Sequence, residues 1–427
     1  MYWIALATLF LSAQAPLGQA PLGQAPSGAD LPAPKPLSAE AIAGALAASP
    51  LPDLPPSPGN RYADDERAAE LGRKLFYDRK LSYAGVTSCA SCHPPERVFT
   101  NGAMDFRGPE AVRRRVPTLL NVAYYPEFGW DGRADSLWSQ ALGPYEDITE
   151  QDGSRTGFVH RISTTKDLRE PFEELFGPLP DVSDPKRFPA QAKPVPYHEG
   201  HSHNKAWVTM DPADQAAVTS VFVDMGKAVE AFQRRLVTGP APFDRFVEDL
   251  RAGREAESEH LSASARRGLE LFFGRANCVS CHSGPFFTDF AYRDTRVPRV
   301  DPSAFEPGRQ LGLERLHRSP FLMDSDFADA QSEDLELAEP TARTGRFRTA
   351  SLRVLNRPGG FFHEGFVPTL KGAIRYYSTL EGASPLLEGS DFELKPLNLT
   401  ESEVDDLAAF LRSLQGQLAD PYWGKRP

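Results

Sequence analysis

Apolar residues recur at helical spacing in several separate stretches of the chain. Two short ones, LGRKLFYD from Leu71 and RGLELFFG from Arg267, share a pattern and predict one helix each. A longer stretch, VTSVFVDMGKAVEAFQRRL, has the same period. Near the end, ESEVDDLAAFLRSL predicts a last helix, with Thr400 as its N-cap. The start reads differently. MYWIALATLFLSAQA is an apolar run closing on a small-x-small pair, Ala13 and Ala15, and is short for a membrane span. That predicts a cleaved secretory leader over residues 1–15. No Lys or Arg precedes the run and Pro16 follows the cut, so an uncleaved anchor is the alternative. Residues 16–36 repeat Pro-Leu-Gly-Gln-Ala and hold too little apolar material to pack, which predicts a flexible tether. No later apolar run approaches membrane length.

Composition narrows the partners. At 427 residues the chain can hold two domains with proper cores. A formal net charge of −11 argues against nucleic-acid phosphates or anionic lipid as the main partner. It is compatible with a basic protein partner, although acidic surfaces commonly serve solubility alone.

The chemistry lies in the cysteines. All four fall in two copies of Cys-x-x-Cys-His: Cys89, Cys92 and His93, then Cys278, Cys281 and His282. Thiols three residues apart lie on one side of a helical turn, where both can form thioethers to the vinyl groups of one porphyrin. The following His then projects beneath the ring and can ligate iron. A single zinc site would bring its two pairs far closer in sequence. A redox disulfide needs no His after it. Two covalently bound c-type haems are therefore the expected cofactors, and their usual attachment outside the cytoplasm agrees with an exported, periplasmic protein.

The chain also reads as duplicated, one haem per copy. Each helical stretch precedes a Cys motif, and each motif is followed by Phe-Thr, at Phe99-Thr100 and Phe287-Thr288. Further on, Arg115 to Pro144 aligns without a gap on Arg348 to Tyr377, at a constant offset of 233. Trp130-Asp131-Gly132 falls on His363-Glu364-Gly365, and Leu137 on Leu370. The copies differ where Pro144 meets Tyr377. A phenolate can ligate iron and a proline cannot, so one iron would be capped and the other left open. Tyr376 and Met323 are the competing ligand candidates for the second iron.

These motifs resemble the bacterial di-haem cytochrome c peroxidases and, within that superfamily, the MauG-type enzymes. The likeness rests on LGRKLFYDRKLSYAGVTSCASCHPPERVFTNG, on FGWDGRADSLWSQALGP and on FFHEG followed by YY, and runs from about Ala68 onward. It implies a mainly α fold of two cytochrome-c-like helical domains facing each other. The first haem would react with hydrogen peroxide and the second would store or relay electrons. By motif position, Trp130 matches the tryptophan between the haems. Gln140, Pro144 and Glu150 match the lining of the peroxide pocket, and Tyr377 matches the distal ligand of the second haem. Gln140 follows Trp130 by ten residues on what reads as one helix-like segment, and could orient bound peroxide. Glu150 would move the proton between the peroxide oxygens; in the acidic run YEDITEQD it has Glu146 and Asp147 as equally charged neighbours.

Three departures bear on mechanism. No His occurs between Pro94 and Gly129, where ordinary di-haem peroxidases carry a removable distal His, so the first iron should rest five-coordinate. Met104 is the only soft ligand in that interval and reads as packing or solvent-facing. Arg115 stands where the family's calcium site has an Asn, and Arg offers no neutral side-chain oxygen, which leaves calcium open. Finally, His198, His201 and His203 in PVPYHEGHSHNKAW could hold a metal, but read first as a solvated loop.

Three functions follow. The leading one is an exported peroxidase of MauG type that oxidises a substrate outside its haem pocket, such as a tryptophan on a partner protein. The second is an ordinary peroxidase fed by a small cytochrome c or a cupredoxin. The third is a non-enzymatic electron carrier. The expected layout is leader, tether, a first haem domain over 37–165, a helical connecting region with the His-rich loop over 166–260, and a second haem domain over 261–427.

Overall fold

The computed structural model describes residues 36–107, 112–196, 198–299, 301, 306–330, 344–384 and 394–427, without the side chains of 104–113. The expected leader and nearly all of the tether lie outside the described residues. The first half contains α1 (Ala39–Ala47), α2 (Glu66–Tyr77), the single turn α3 (Cys89–Cys92), α4 (Leu137–Glu146), α5 (Arg155–Ser163), α6 (Lys166–Phe176), α7 (Ser202–Trp207) and α8 (Pro212–Gln233). It is followed by α9 (Pro242–Arg251), α10 (Ala263–Phe273), α11 (Arg309–His317), α12 (Leu370–Thr379) and α13 (Glu401–Ser413). Strand is confined, among the described residues, to two small antiparallel pairs: β1 (Met104–Arg107) with β2 (Val112–Arg115), and β3 (Tyr292–Arg293) with β4 (Phe347–Arg348). The molecule is mainly helical, as the apolar spacing predicts.

Local chemistry sets the ends of these helices. Asp65 accepts the Arg67 N–H at 2.7 Å and starts α2. Thr400 starts α13, its hydroxyl accepting from the Glu403 N–H at 3.3 Å while Glu403 accepts the Thr400 N–H at 2.9 Å. This reciprocal cap satisfies two amides that a helix start leaves open.

Two apolar clusters form the core. One gathers α2, α4, α5, α6 and α8, with Phe76, Trp138, Phe158, Phe222 and Phe232 at its centre. The other gathers α1, α9, α10 and α13, around Phe243, Phe272, Phe287 and Phe410. Each such fully buried side chain contributes roughly 1.5–3 kcal/mol. In both clusters the helix before the Cys motif crosses a long partner at a glycine. A Cβ on Gly72 of α2 would stand 1.9 Å from the Ala228 carbonyl oxygen of α8, and one on Gly268 of α10 would stand 2.0 Å from that of Asp406 on α13. The long helix read from VTSVFVDMGKAVEAFQRRL thus packs against the first motif's helix as α13 packs against the second's.

The chain ends cross over. The α1 residues Ala41 and Ala45 bury in the second cluster, while Trp423 buries in the first. Arg73 of α2 fastens that C-terminal segment, donating to the Lys425 carbonyl at 3.0 Å and to the Tyr422 hydroxyl at 2.9 Å. No described helix is long and apolar enough to cross a membrane.

Candidate functional site: two haem-binding motifs in matching frames

The duplication read from sequence appears as matching hydrogen bonds. His93 Nδ1 donates to the Phe99 carbonyl at 2.8 Å, and His282 Nδ1 donates to the Phe287 carbonyl at 2.8 Å. Both phenylalanines adopt left-handed φ, 55° and 51°, which turns their carbonyls onto the imidazoles. With Nδ1 carrying the proton, each Nε2 keeps a lone pair and its ring orientation is fixed, the arrangement a histidine needs to bind a metal. Next to them, the Thr100 hydroxyl donates to the Val116 carbonyl at 2.6 Å and the Thr288 hydroxyl to the Thr349 carbonyl at 2.7 Å. Helices α4 and α12 have equal length and start at positions 233 apart.

The two copies also hold each other. The Arg115 N–H donates to the His363 carbonyl at 2.7 Å, and the Arg348 N–H donates to the Trp130 carbonyl at 3.1 Å. Under the 233 offset these are one bond repeated with the copies exchanged. Trp130 and His363 occupy equivalent tight turns, closed by the bridges Phe128–Ala134 and Phe361–Val367. Gly132 and Gly365 take positive φ, 68° and 70°, at the same place in each. Trp130 therefore lies in a turn ahead of α4, which begins at Leu137, and not on one helical segment with Gln140 as expected. Its indole N–H donates to the Arg115 carbonyl at 2.8 Å, and the Arg115 guanidinium lies 5.3 Å from its ring centre.

A cavity of about 560 Å³ opens at the second motif. Cys278, Cys281 and His282 line one side, Tyr377 and His363 stand elsewhere in the wall, and Trp130 reaches in from the first copy. The rest is largely apolar, which suits a flat porphyrin. Arg357 also lines it, half-buried, and desolvation pushes its guanidinium down to about 10. Its hydrogen bonds go to the Val354 and Gly360 carbonyls, at 3.1 and 3.0 Å. A cation in the cavity wall whose hydrogen bonds go to carbonyls fits the propionate carboxylates of a haem. His363, stacked on Phe347 at 3.6 Å, is pushed down to about 3 by burial and by Arg114 and Arg299, so it is neutral at physiological pH.

Tyr377 and Tyr376 diverge. The Tyr376 hydroxyl donates at 2.8 Å to the carbonyl of Thr295, a residue of the cavity wall, and Tyr376 itself does not line the cavity. Tyr377 lines the cavity, and its phenol is pushed up chiefly by burial and then by Tyr376, Cys281 and Cys278. Met323 stands elsewhere, its N–H donating to Asp135 Oδ2 at 2.8 Å.

At the first motif Cys89 is contacted by Gln151, whose Nε2 lies 3.6 Å from its sulfur. Burial pushes the Cys89 and Cys278 thiols up, to about 11 and about 12. Glu150, next to Gln151, adds a little to the rise at Cys89 through its charge. Gln140 is half-buried on α4, and Pro144 sits one turn further along the same helix. Met104 lies on β1, its side chain outside the described residues. Glu146, one of the rival carboxylates, is taken by Arg155 at 2.9 Å.

Some residues around the site carried no visible sequence signal. Arg114 bridges Asp131 and Glu306, at 2.8 Å for the latter, and Arg309 donates to the Asp131 and Gly132 carbonyls at 3.0 and 2.9 Å. Together they pin the Trp130 turn to the region before α12. The first copy's partners of Arg309 lie 177 and 178 residues away, beyond any local pattern.

Residues 66–252 match the family model for di-haem cytochrome c peroxidase. The chain is 30% identical over 386 residues to the cytochrome-c peroxidase IdrP1 of Denitromonas iodatirespirans, covering 88% of this chain and 89% of that one. It is 31% identical over 371 residues to the methylamine utilization protein MauG of Methylorubrum extorquens, covering 86% and 83%. In fold it is similar to the diheme peroxidase BthA of Burkholderia thailandensis, with a TM-score of 0.59 at 24% identity over 83% and 87% of the two chains. Two haem-binding motifs in paired helical frames, together with these relatives, define the class. The chain belongs to the di-haem cytochrome c peroxidase family, enzymes that use hydrogen peroxide.

Proposed function

We propose that the two haems have opposite roles: the one at Cys89, Cys92 and His93 meets peroxide, and the one at Cys278, Cys281 and His282 is capped by Tyr377. One observation carries this reading. Pro144 and Tyr377 hold the same position on helices of equal length, and Tyr377 lines the cavity while Tyr376 turns away to Thr295. When bound, the haems supply the redox chemistry of peroxide reduction. The protein's own residues do the rest. His93 and His282, each oriented by a phenylalanine carbonyl, would hold the two irons through Nε2. Glu150 moves the proton between peroxide oxygens, and Gln140 orients the bound oxidant. The Trp130 indole lies on the route between the copies, with its N–H anchored on Arg115.

Bound through its phenolate, Tyr377 would favour oxidised iron more than a thioether does, and would make a haem held there a poor acceptor from small cytochromes and a good store of oxidising equivalents. This supports MauG-type oxidation of a substrate outside the haem pocket, such as an aromatic side chain on a partner protein, after export to the periplasm. The domain limits proposed with it are 37–165 and 261–427, joined by 166–260. Stopped-flow mixing of the diferric protein with one equivalent of peroxide tests the assignment. A product that persists for seconds or longer, with slow turnover of reduced cytochrome c, supports it. Rapid steady-state oxidation of cytochrome c identifies an ordinary peroxidase instead.

A further inference from the structure

We infer that Asp152, His201 and His203 form a binding site for a divalent transition metal of the zinc class, outside both haem-binding frames. The candidate ligand atoms of the three residues lie within 4.8 Å of one another. His203 is only 3% exposed, yet its Nδ1 has no hydrogen-bond partner, and that nitrogen faces Asp152 Oδ1 at 3.8 Å. A buried imidazole nitrogen without a partner is rare and needs a reason; a metal between it and the carboxylate supplies one. The His201 ring stands 4.8 Å from the His203 ring, nearly perpendicular. His201 Nδ1 accepts the His203 N–H at 3.3 Å, which leaves the ring proton on Nε2; ligation through Nε2 therefore moves that proton to Nδ1 and gives up this long hydrogen bond.

The donor set decides the class of ion. Two imidazoles and one carboxylate match zinc or a similar borderline cation, and offer too few oxygens for calcium. Bonds of about 2.0–2.2 Å put tetrahedral donors about 3.5 Å apart, so closure needs side-chain movements of about an ångström. His198, whose ring lies 5.6 Å from that of His201, can approach the fourth position, as can water. Lys193 donates to Asp152 Oδ1 at 2.7 Å and to the Glu146 carbonyl at 2.5 Å. Its ammonium balances the carboxylate when no metal is bound, and the ion must compete with it.

The location gives the site a consequence. Gln151, adjacent to Asp152, reaches Cys89, and its carbonyl accepts the Tyr83 N–H at 2.9 Å. The Tyr83 ring in turn packs on His203 at 5.1 Å. A metal here staples the segment bearing Glu150 and Gln151 to the His-rich loop.

Isothermal titration of zinc chloride into chelator-treated protein with its haems attached tests this without reference to turnover. The expected result is one equivalent bound with Kd below about 10 μM. His201→Ala weakens it at least about 10-fold, and His198→Ala has a smaller effect. His201 is half-exposed, so its replacement leaves the fold intact, which the haem absorbance checks; His203→Ala is the second variant. Zinc-edge X-ray absorption should find two nitrogen-type neighbours at about 2.0 Å. Binding weaker than about 100 μM, or undiminished in the His201→Ala His203→Ala double variant, overturns the proposal.

Discussion

Replacing Asp244 by Ala probes how a buried ion pair holds the second motif in place. Asp244 accepts four hydrogen bonds: from Arg353 Nη1 at 2.8 Å and Nη2 at 2.9 Å, from the Ser49 hydroxyl at 2.8 Å and from the Ala241 N–H at 2.7 Å. Arg353 is 1% exposed, and its remaining donors go to the Pro285 carbonyl at 2.7 Å and the Ala48 carbonyl at 2.9 Å. The pair therefore ties the end of α1, the start of α9 and the loop after His282 into one knot. Removing the carboxylate leaves a guanidinium buried without a counter-charge, a change that costs about 3–5 kcal/mol. The lost cap at α9 adds about 1 kcal/mol. Ser49→Ala removes one neutral donor and should cost only about 1 kcal/mol. Because Arg353 also packs 5.2 Å from the Phe287 ring, whose carbonyl orients His282, the defect should reach the second haem before the first. Guanidinium unfolding followed by circular dichroism and by haem absorbance measures both effects. A loss below about 1 kcal/mol for Asp244→Ala, or equal broadening of both haem signals, would refute the reasoning.

Other predictions are narrower. Gly268→Ala places a methyl 2.0 Å from the Asp406 carbonyl, and separating α10 from α13 should destabilise the protein by about 3 kcal/mol in thermal or chemical unfolding. Asp224 is pushed up to about 7, mainly by burial and against the pull of Lys227. The folded state then holds more protons than the unfolded one between about pH 4 and about pH 7, so stability falls as pH rises through that window. Asp224→Asn should remove most of a slope worth up to about 4 kcal/mol, read as midpoint against pH. Glu150→Gln should slow the first reaction with peroxide by about 10²–10⁴-fold while leaving both resting haem spectra intact, as stopped-flow absorbance will show.

The site was legible in the sequence because its chemistry is local. A Cys-x-x-Cys-His motif fits within two helical turns, and the 233-residue offset exposed the Pro144–Tyr377 difference before any coordinates. The same offset paired Trp130 with His363, and their exchanged hydrogen bonds repeat at that spacing. The segment joining Trp130 to Gln140 read as one helix because its apolar spacing continues; the Gly132 turn breaks it, anchored by Arg309 from far along the chain. The offset and the motif favoured Tyr377 over Tyr376, but which of the two rings lines the cavity depends on tertiary contacts. Neighbours on one helix point about 100° apart, and the Tyr376 hydroxyl reaches the Thr295 carbonyl, 81 residues away, which no local pattern foretells. The crossing of the termini, α1 into the second core and Trp423 into the first, depends wholly on tertiary packing.

Low-temperature electron paramagnetic resonance of the diferric protein, alone and as Tyr377→Phe, tests the asymmetry of the two irons most directly. The account predicts one high-spin and one low-spin signal, with only the low-spin signal changing in the variant. Two low-spin haems in the parent protein, or a low-spin signal indifferent to the loss of the Tyr377 hydroxyl, would contradict it.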